Sequence, residues 1–311
     1  MDWLSKYLML MIRITRSNRQ NTLSIKHLIA LGLILFFHES CTKANEGQLS
    51  NPSKGKILKE ITVNGTTREY IVYVPQNYTE NTPVPLLLSF HGLTSNMEFN
   101  YAYTKFNELA ERENFIVVYP NGISNRWVIT NGNNSDIGFV NAVLDTLEEK
   151  YNIESSRIYS TGMSMGGFFS FNLACELTER IAAIASVTGS MYQLGLNSCF
   201  PSKPIPIIQI HGTEDNIVNY STVPSLLDFW TSHNRTDTRP ITISLPNTDT
   251  QDGSTVKQYD YLNGQNGVEV RHLQIIGGGH DWPGYRGNMD INASEEVWRF
   301  VKNFNINGKS N

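Results

Sequence analysis

The sequence predicts an α/β fold, a mostly parallel central sheet with helices on both faces, and three observations carry that expectation. Short apolar runs alternate with stretches whose apolar residues recur at helical spacing, the pattern of strands joined by crossover helices. Two of those runs, 84–90 (VPLLLSF) and 205–210 (IPIIQI), are apolar almost throughout, as strands covered on both faces are. The run Ile158-Tyr159-Ser160-Thr161 breaks at Gly162-Met163-Ser164-Met165-Gly166 before a helix-like stretch, a sharp strand-to-helix turn in which side chains at 162 and 166 would collide with neighbouring chain. At 311 residues and 40% hydrophobic content the chain can bury a large core as one domain, and no large lid insertion is apparent.

The elements follow in order. Residues 1–40 stand apart: Arg13, Arg16, Arg19 and Lys26 precede a ten-residue apolar run at 28–37. That run is too short to span a hydrocarbon core, which needs about 20 residues, but it suits the apolar region of an export signal. Residues 41–56 are polar and read as a tether. The runs 59–63 and 68–74 around Asn64-Gly65 form a hairpin at the sheet edge. Then come strand 84–90, helix 104–112, strand 115–119, and helix 137–150 with Val140, Val143, Leu144 and Leu147 on one face. Strand 157–160, helix 165–177, strands 181–187 and 204–210, helix 223–234, strands 255–262 and 268–276, and a closing helix 293–304 complete the expected domain, 57–304, with 305–311 as a tail.

Chemistry-bearing residues fall at strand ends. Ser164 sits in the turn; Asp215 follows 205–210 in His211-Gly212-Thr213-Glu214-Asp215; His280 follows 268–276 in Gly277-Gly278-Gly279-His280-Asp281-Trp282-Pro283. Ser, then Asp, then His is the chain order of the α/β-hydrolase triad. Ser164 is the candidate nucleophile, His280 the base that takes its proton, and Asp215 the group that fixes the imidazole tautomer, with Glu214 and Asp281 as competing carboxylates. The backbone N–H groups of Leu93, after strand 84–90, and of Met165 are the candidate oxyanion donors. His91 and His211 each precede a glycine at a strand end and read as structural. The seven histidines include no HExxH or Cys/His cluster, so neither metal nor other cofactor is expected.

These segments resemble the exported polyhydroxybutyrate-depolymerase-like and feruloyl-esterase-like group of α/β hydrolases over residues 57–304. The likeness rests on Tyr119-Pro120-Asn121-Gly122 with Trp127, Asp136-Ile137-Gly138-Phe139, 159–167, His211 to Asp215, and Gly277 to Gly284. The resemblance implies a serine esterase acting on feruloylated or acetylated polysaccharide or on a polyhydroxyalkanoate, with Trp127 and Trp282 lining a cleft. Met165 departs from the polar residue often found after the nucleophile, and Ile137 from a second acid, and both touch on the acyl pocket rather than the triad.

Cys41, close behind the apolar run and after Ser40, resembles the lipid-modified cysteine of a bacterial lipoprotein and implies a membrane-anchored protein, although His38 and Glu39 depart from that pattern. An ordinary signal peptide cut near Ala44 is the alternative. Removing 1–40 takes away five Lys/Arg and two Asp/Glu and moves the formal charge from −4 to −7, which argues against nucleic-acid binding. After export Cys175 and Cys199 would meet an oxidising compartment and could pair; two buried thiols are the alternative. Two competing functions remain on the sequence: a serine peptidase on the same fold, for which no accessory domain is present, and a non-catalytic ligand binder, which has no need to keep Ser164, Asp215 and His280 together.

Overall fold

A computed structural model describes residues 53–130, 132 and 134–310, all within one compact unit. The expected export signal, Cys41 and most of the tether lie outside the described residues.

Ten strands form one sheet: β1 (Gly55–Val63), β2 (Thr66–Val74), β3 (Val84–Phe90), β4 (Ile116–Pro120), β5 (Ile153–Met163), β6 (Ala183–Val187), β7 (Ile207–Gly212), β8 (Ile241–Ser244), β9 (Thr255–Tyr261) and β10 (Val270–Ile276). Their order is β1-β2-β4-β3-β5-β6-β7-β10-β9-β8. The six central strands, β4 to β10, are parallel, and antiparallel hairpins close both edges. Parallel strands need long crossovers, supplied by α1 (Met97–Thr104), α2 (Phe106–Glu113), α3 (Ser135–Lys150), α4 (Met165–Glu176), α5 (Gln193–Ser198) and α6 (Val223–Asn234), before α7 (Ala293–Val301) ends the α/β layer.

Successive strand residues feed opposite cores. Ile158 packs with Val143, Phe169 and Trp230 of α3, α4 and α6, whereas Tyr159 packs with Phe106, Val297 and Trp298 of α2 and α7. Both faces are therefore covered, and β3, apolar except for Ser89, is wholly buried. Asparagines cap three helix starts: Asn96 accepts from the N–H group of Phe99, Asn134 from those of Asp136 and Ile137, and Asn292 from those of Ser294 and Glu295.

Several boundaries differ from expectation. The helix expected over 104–112 is two helices broken at Lys105, whose φ is 52°. β5 reaches from 153 to 163, and β8 and the short α5 had no clear sequence signal. The closing helix ends at Val301. Residues read as a tail pair instead as a small hairpin, β11 (Phe304–Asn305) with β12 (Gly308–Lys309).

Cys175 at the end of α4 and Cys199 after α5 form a disulfide across 24 residues. On the chain-entropy view a loop of that size contributes ~3 kcal/mol. Reductant is expected to lower the melting temperature by roughly 6–12 °C, at 2–4 °C per kcal/mol for a domain of this size. Two free thiols in denatured, unreduced protein, read by mass spectrometry, would be the contrary result.

Candidate active site

Ser164 lies between β5 and α4 at φ 53° and ψ −121°, a conformation an L residue holds only when its surroundings enforce it. Those surroundings are backbone. The Ser164 N–H donates to Val187 O at 2.9 Å, and Phe168 N–H returns to Ser164 O at 3.0 Å. A Cβ at Gly162 would stand 2.7 Å from Phe90 O, and one at Gly166 would stand 2.7 Å from the Phe90 carbonyl carbon. The elbow can approach β3 this closely only because both positions lack side chains. Gly166→Ala is accordingly expected to destabilise the fold by ~3 kcal/mol, the upper range for overpacking, measured as a fall in denaturant midpoint with unchanged slope.

The same approach sets the β3 loop beside Ser164: a Cβ on Gly92 would be 3.5 Å from the Ser164 Cβ. In that loop the N–H groups of Thr94 and Ser95 are engaged with Asn125 O and Gly92 O, whereas that of Leu93 has no partner among the described residues. Met165 opens α4, so its N–H is one of the first-turn donors that no helical carbonyl can reach. His91 holds the loop. Its Nε2 accepts from Gly122 N–H at 2.9 Å and its Nδ1 donates to Gly92 O at 2.8 Å, which fixes a neutral ring whose pKa burial lowers. The structural reading of His91 thus accords with its contacts.

Asp215 and His280 come from neighbouring parallel strands, β7 and β10, whose loops are laced together. Thr213 N–H donates to Ile275 O at 2.9 Å, Glu214 N–H to Gly278 O at 2.8 Å, and Gly277 N–H to Thr213 Oγ1 at 2.9 Å. The glycine run before His280 has steric reasons of its own: Gly277 holds φ +80° with a Cβ position 2.7 Å from Gly253 O, and a Cβ on Gly278 would collide with Ile275 Cγ2. His280 Nδ1 donates to Asp215 Oδ2 at 2.7 Å, leaving Nε2 free to accept a proton. Asp215 Oδ1 accepts from Ile217 and Val218 N–H at 2.9 and 2.8 Å. Burial pushes the Asp215 pKa up, but hydrogen bonds from His211, His280, Val218 and Ile217 outweigh it and hold the carboxyl well below the usual range. The competitors are occupied differently: Glu214 points to solvent, and Asp281 pairs with Arg286 at 3.1 Å. The Ser164 hydroxyl and His280 form no hydrogen bond to each other in this structure, a contact that commonly tightens only with substrate bound.

Trp127 and Trp282, expected on the cleft wall, lie in the interior at 2% and 3% exposure. Trp127 stacks on Phe169 at 5.1 Å, meets Phe90 edge-on, and donates Nε1–H to His91 O at 2.9 Å, so its indole supports the β3 loop from beneath. Trp282 is wedged against Tyr103 and Phe106, with Nε1–H on Ser294 Oγ. Both rings are thus packed on other aromatic groups, and Trp282 also forms part of the wall of a cavity of about 360 Å³ beside Tyr103 and Tyr285. A cavity of about 300 Å³ one helical turn beyond Ser164 is lined instead by Ile129, Thr130, Phe168, Met191 and Tyr192. The remaining support is a buried ion pair, Arg68 to Asp136 at 2.8 Å, both at most 4% exposed. Arg68 also reaches Asn121 O, and Asp136 Oδ2 accepts from Val128 N–H, tying β2 and α3 to the loop that carries Trp127.

The profile of a family described as putative esterase matches residues 62–291. A bifunctional acetylxylan esterase/xylanase of Neocallimastix patriciarum is 29% identical over 248 residues, 78% of this chain; the match spans only 34% of that longer protein. Feruloyl esterase D of Neurospora crassa is 28% identical over 259 residues, covering 78% of this chain and 84% of its own. Among solved structures, an acetyl xylan esterase from Aspergillus awamori superposes with a TM-score of 0.60 at 17% identity, covering 79% of this chain and 99% of that one, a likeness of fold.

Proposed function

Because the chain belongs to the putative esterase family, we propose that it is a carboxylic ester hydrolase working through Ser164, His280 and Asp215. The observation that carries this reading is the Asp215–His280 hydrogen bond at the ends of β7 and β10, on the same edge of the sheet as the strained Ser164 turn. His280 Nε2 takes the Ser164 hydroxyl proton as Oγ attacks the ester carbonyl, and the oxyanion forms against the N–H groups of Leu93 and Met165. Collapse expels the alcohol with the proton from Nε2 and leaves an acyl-Ser164 ester. Water, deprotonated by the same nitrogen, then releases the acid and restores the serine.

Named relatives with acetylxylan and feruloyl esterase activity favour acylated polysaccharide over polyhydroxyalkanoate as the substrate class. The acyl group would enter the cavity beside Phe168, whose apolar lining suits a ring better than acetate. Parallel assays of the mature protein on methyl ferulate, acetylated xylan and hydroxybutyrate oligomers test this; turnover of the oligomers alone would overturn it.

Export and a lipid on Cys41 complete the reading, supported by the basic segment, the ten-residue apolar run and the polar stretch after it. Expressed whole in a Gram-negative host, the protein is expected to pellet with membranes, and Cys41→Ser to release it or leave it unprocessed. Soluble wild-type protein with a free amino terminus near Asn45 would instead mark ordinary secretion.

A further inference from the structure

Behind the Asp215 carboxylate lies a run of buried polar side chains that the proposed chemistry does not use. Gln209, His211 and His272 are at most 2% exposed, and Tyr220 and Gln274 continue the run outward. Donor and acceptor roles follow from the partners. The Gln209 group facing Gly189 O at 2.8 Å must be the amide nitrogen, since the reverse placement would oppose two carbonyl oxygens. That nitrogen also donates to His211 Nδ1 at 2.9 Å, so the His211 proton resides on Nε2. It faces Val218 O at 2.8 Å and Asp215 Oδ2 at 3.3 Å.

Asp215 Oδ2 therefore stands between two imidazoles, His280 at 2.7 Å and His211 at 3.3 Å. On the reading of Ser164, His280 and Asp215 given above, we propose that His211 is a positioning residue. By sharing Oδ2 it limits the negative charge that Asp215 presents to His280, and so sets the pH at which His280 becomes a base. The other groups facing His211 are held in fixed states. Tyr220 meets its ring edge-on at 5.8 Å and donates its hydroxyl proton to His272 Nε2, while His272 Nδ1 donates to Gln209 O. Burial, with His211 nearby, lowers the His272 pKa to about 4, so that ring stays neutral. Asp281, which lines the same small cavity as His211, is paired with Arg286.

The sign follows from electrostatics. With the His211 donor removed, Oδ2 attracts the His280 imidazolium more strongly, and the acid limb of kcat/KM moves to higher pH. His211→Leu is expected to move that limb up by about one pH unit, roughly a tenfold loss at a pH well down the limb and little loss on the plateau. His211→Gln, whose amide can donate from the same region, should restore the limb. A loss of equal factor at every pH, with the limb unmoved, would overturn the proposal.

Should His211→Leu not fold, ¹⁵N NMR of the wild-type protein decides the matter: His211 is expected to carry its proton on Nε2, with Nδ1 accepting from the Gln209 amide. An Nδ1-protonated His211 would overturn it. This measurement needs no turnover, so its failure is distinct from a failure of the esterase reading.

Discussion

Ser164→Ala is expected to lower kcat by five to six orders of magnitude, on the scale of the about 2 × 10⁶ lost when a serine protease loses its nucleophile. The fold should survive, because alanine at φ 53° carries the same backbone strain as serine and the enforcing contacts are main-chain. A second substitution separates strain from chemistry. Ser164→Gly should be equally inactive yet more stable than Ser164→Ala by ~1 kcal/mol, since glycine holds positive φ without penalty. Fluorophosphonate labelling should modify Ser164 in the native protein and no residue in either variant. Activity within tenfold of native in Ser164→Ala, or labelling elsewhere, would remove the proposed mechanism.

Asp215→Asn should lower kcat by about 10⁴, the effect of the wrong imidazole tautomer in a serine protease, while Glu214→Gln and Asp281→Asn change it less than about threefold. The distinction rests on who holds His280: Asp215 does at 2.7 Å, and the neighbouring carboxylates are spent on solvent and on Arg286. The same hydrogen bonds predict a pH dependence of stability. A carboxyl held below its ordinary range stabilises the fold fully above the unfolded value, about 3.9, and loses that contribution only as pH falls further through the folded value. Acid unfolding of Asp215→Asn should therefore lack that part of the pH dependence.

The parallel sheet and the order of its chemistry were legible because they rest on local rules. Near-continuous apolar runs mark strands buried on both faces, and glycines at 162, 166 and 277 mark backbone contacts that the structure displays. What the sequence hid depends on tertiary context. Nothing in Thr104-Lys105-Phe106 announces a helix break, because Lys105 takes positive φ without a glycine, asparagine or proline to signal the turn. Ile241-Thr242-Ile243-Ser244 alternates as a strand does, but over only four residues, all exposed in the fold, and its place at the sheet edge comes from pairing with β9. Trp127 and Trp282 sit in motifs around the site, yet only the fold reveals that their N–H groups serve His91 O and Ser294 Oγ. The Gln209–His211 contact was invisible for a related reason: alternate residues of one strand share a face, but only the folded path of the loop after β7 brings Asp215 and Val218 back onto that face.

The Arg68–Asp136 pair bears on where this protein can be cut. Removing either partner of a buried ion pair leaves the other charge stranded, at a penalty of about 3–5 kcal/mol. Here the stranded group would be the carboxylate that steadies Val128 and, through that loop, Trp127 and His91. A shortened protein that starts beyond β2 would thus lose its active centre although every proposed catalytic residue remained in it. Trimming of amino-terminal residues for recombinant production has a natural stopping point before Gly55, where β1 begins.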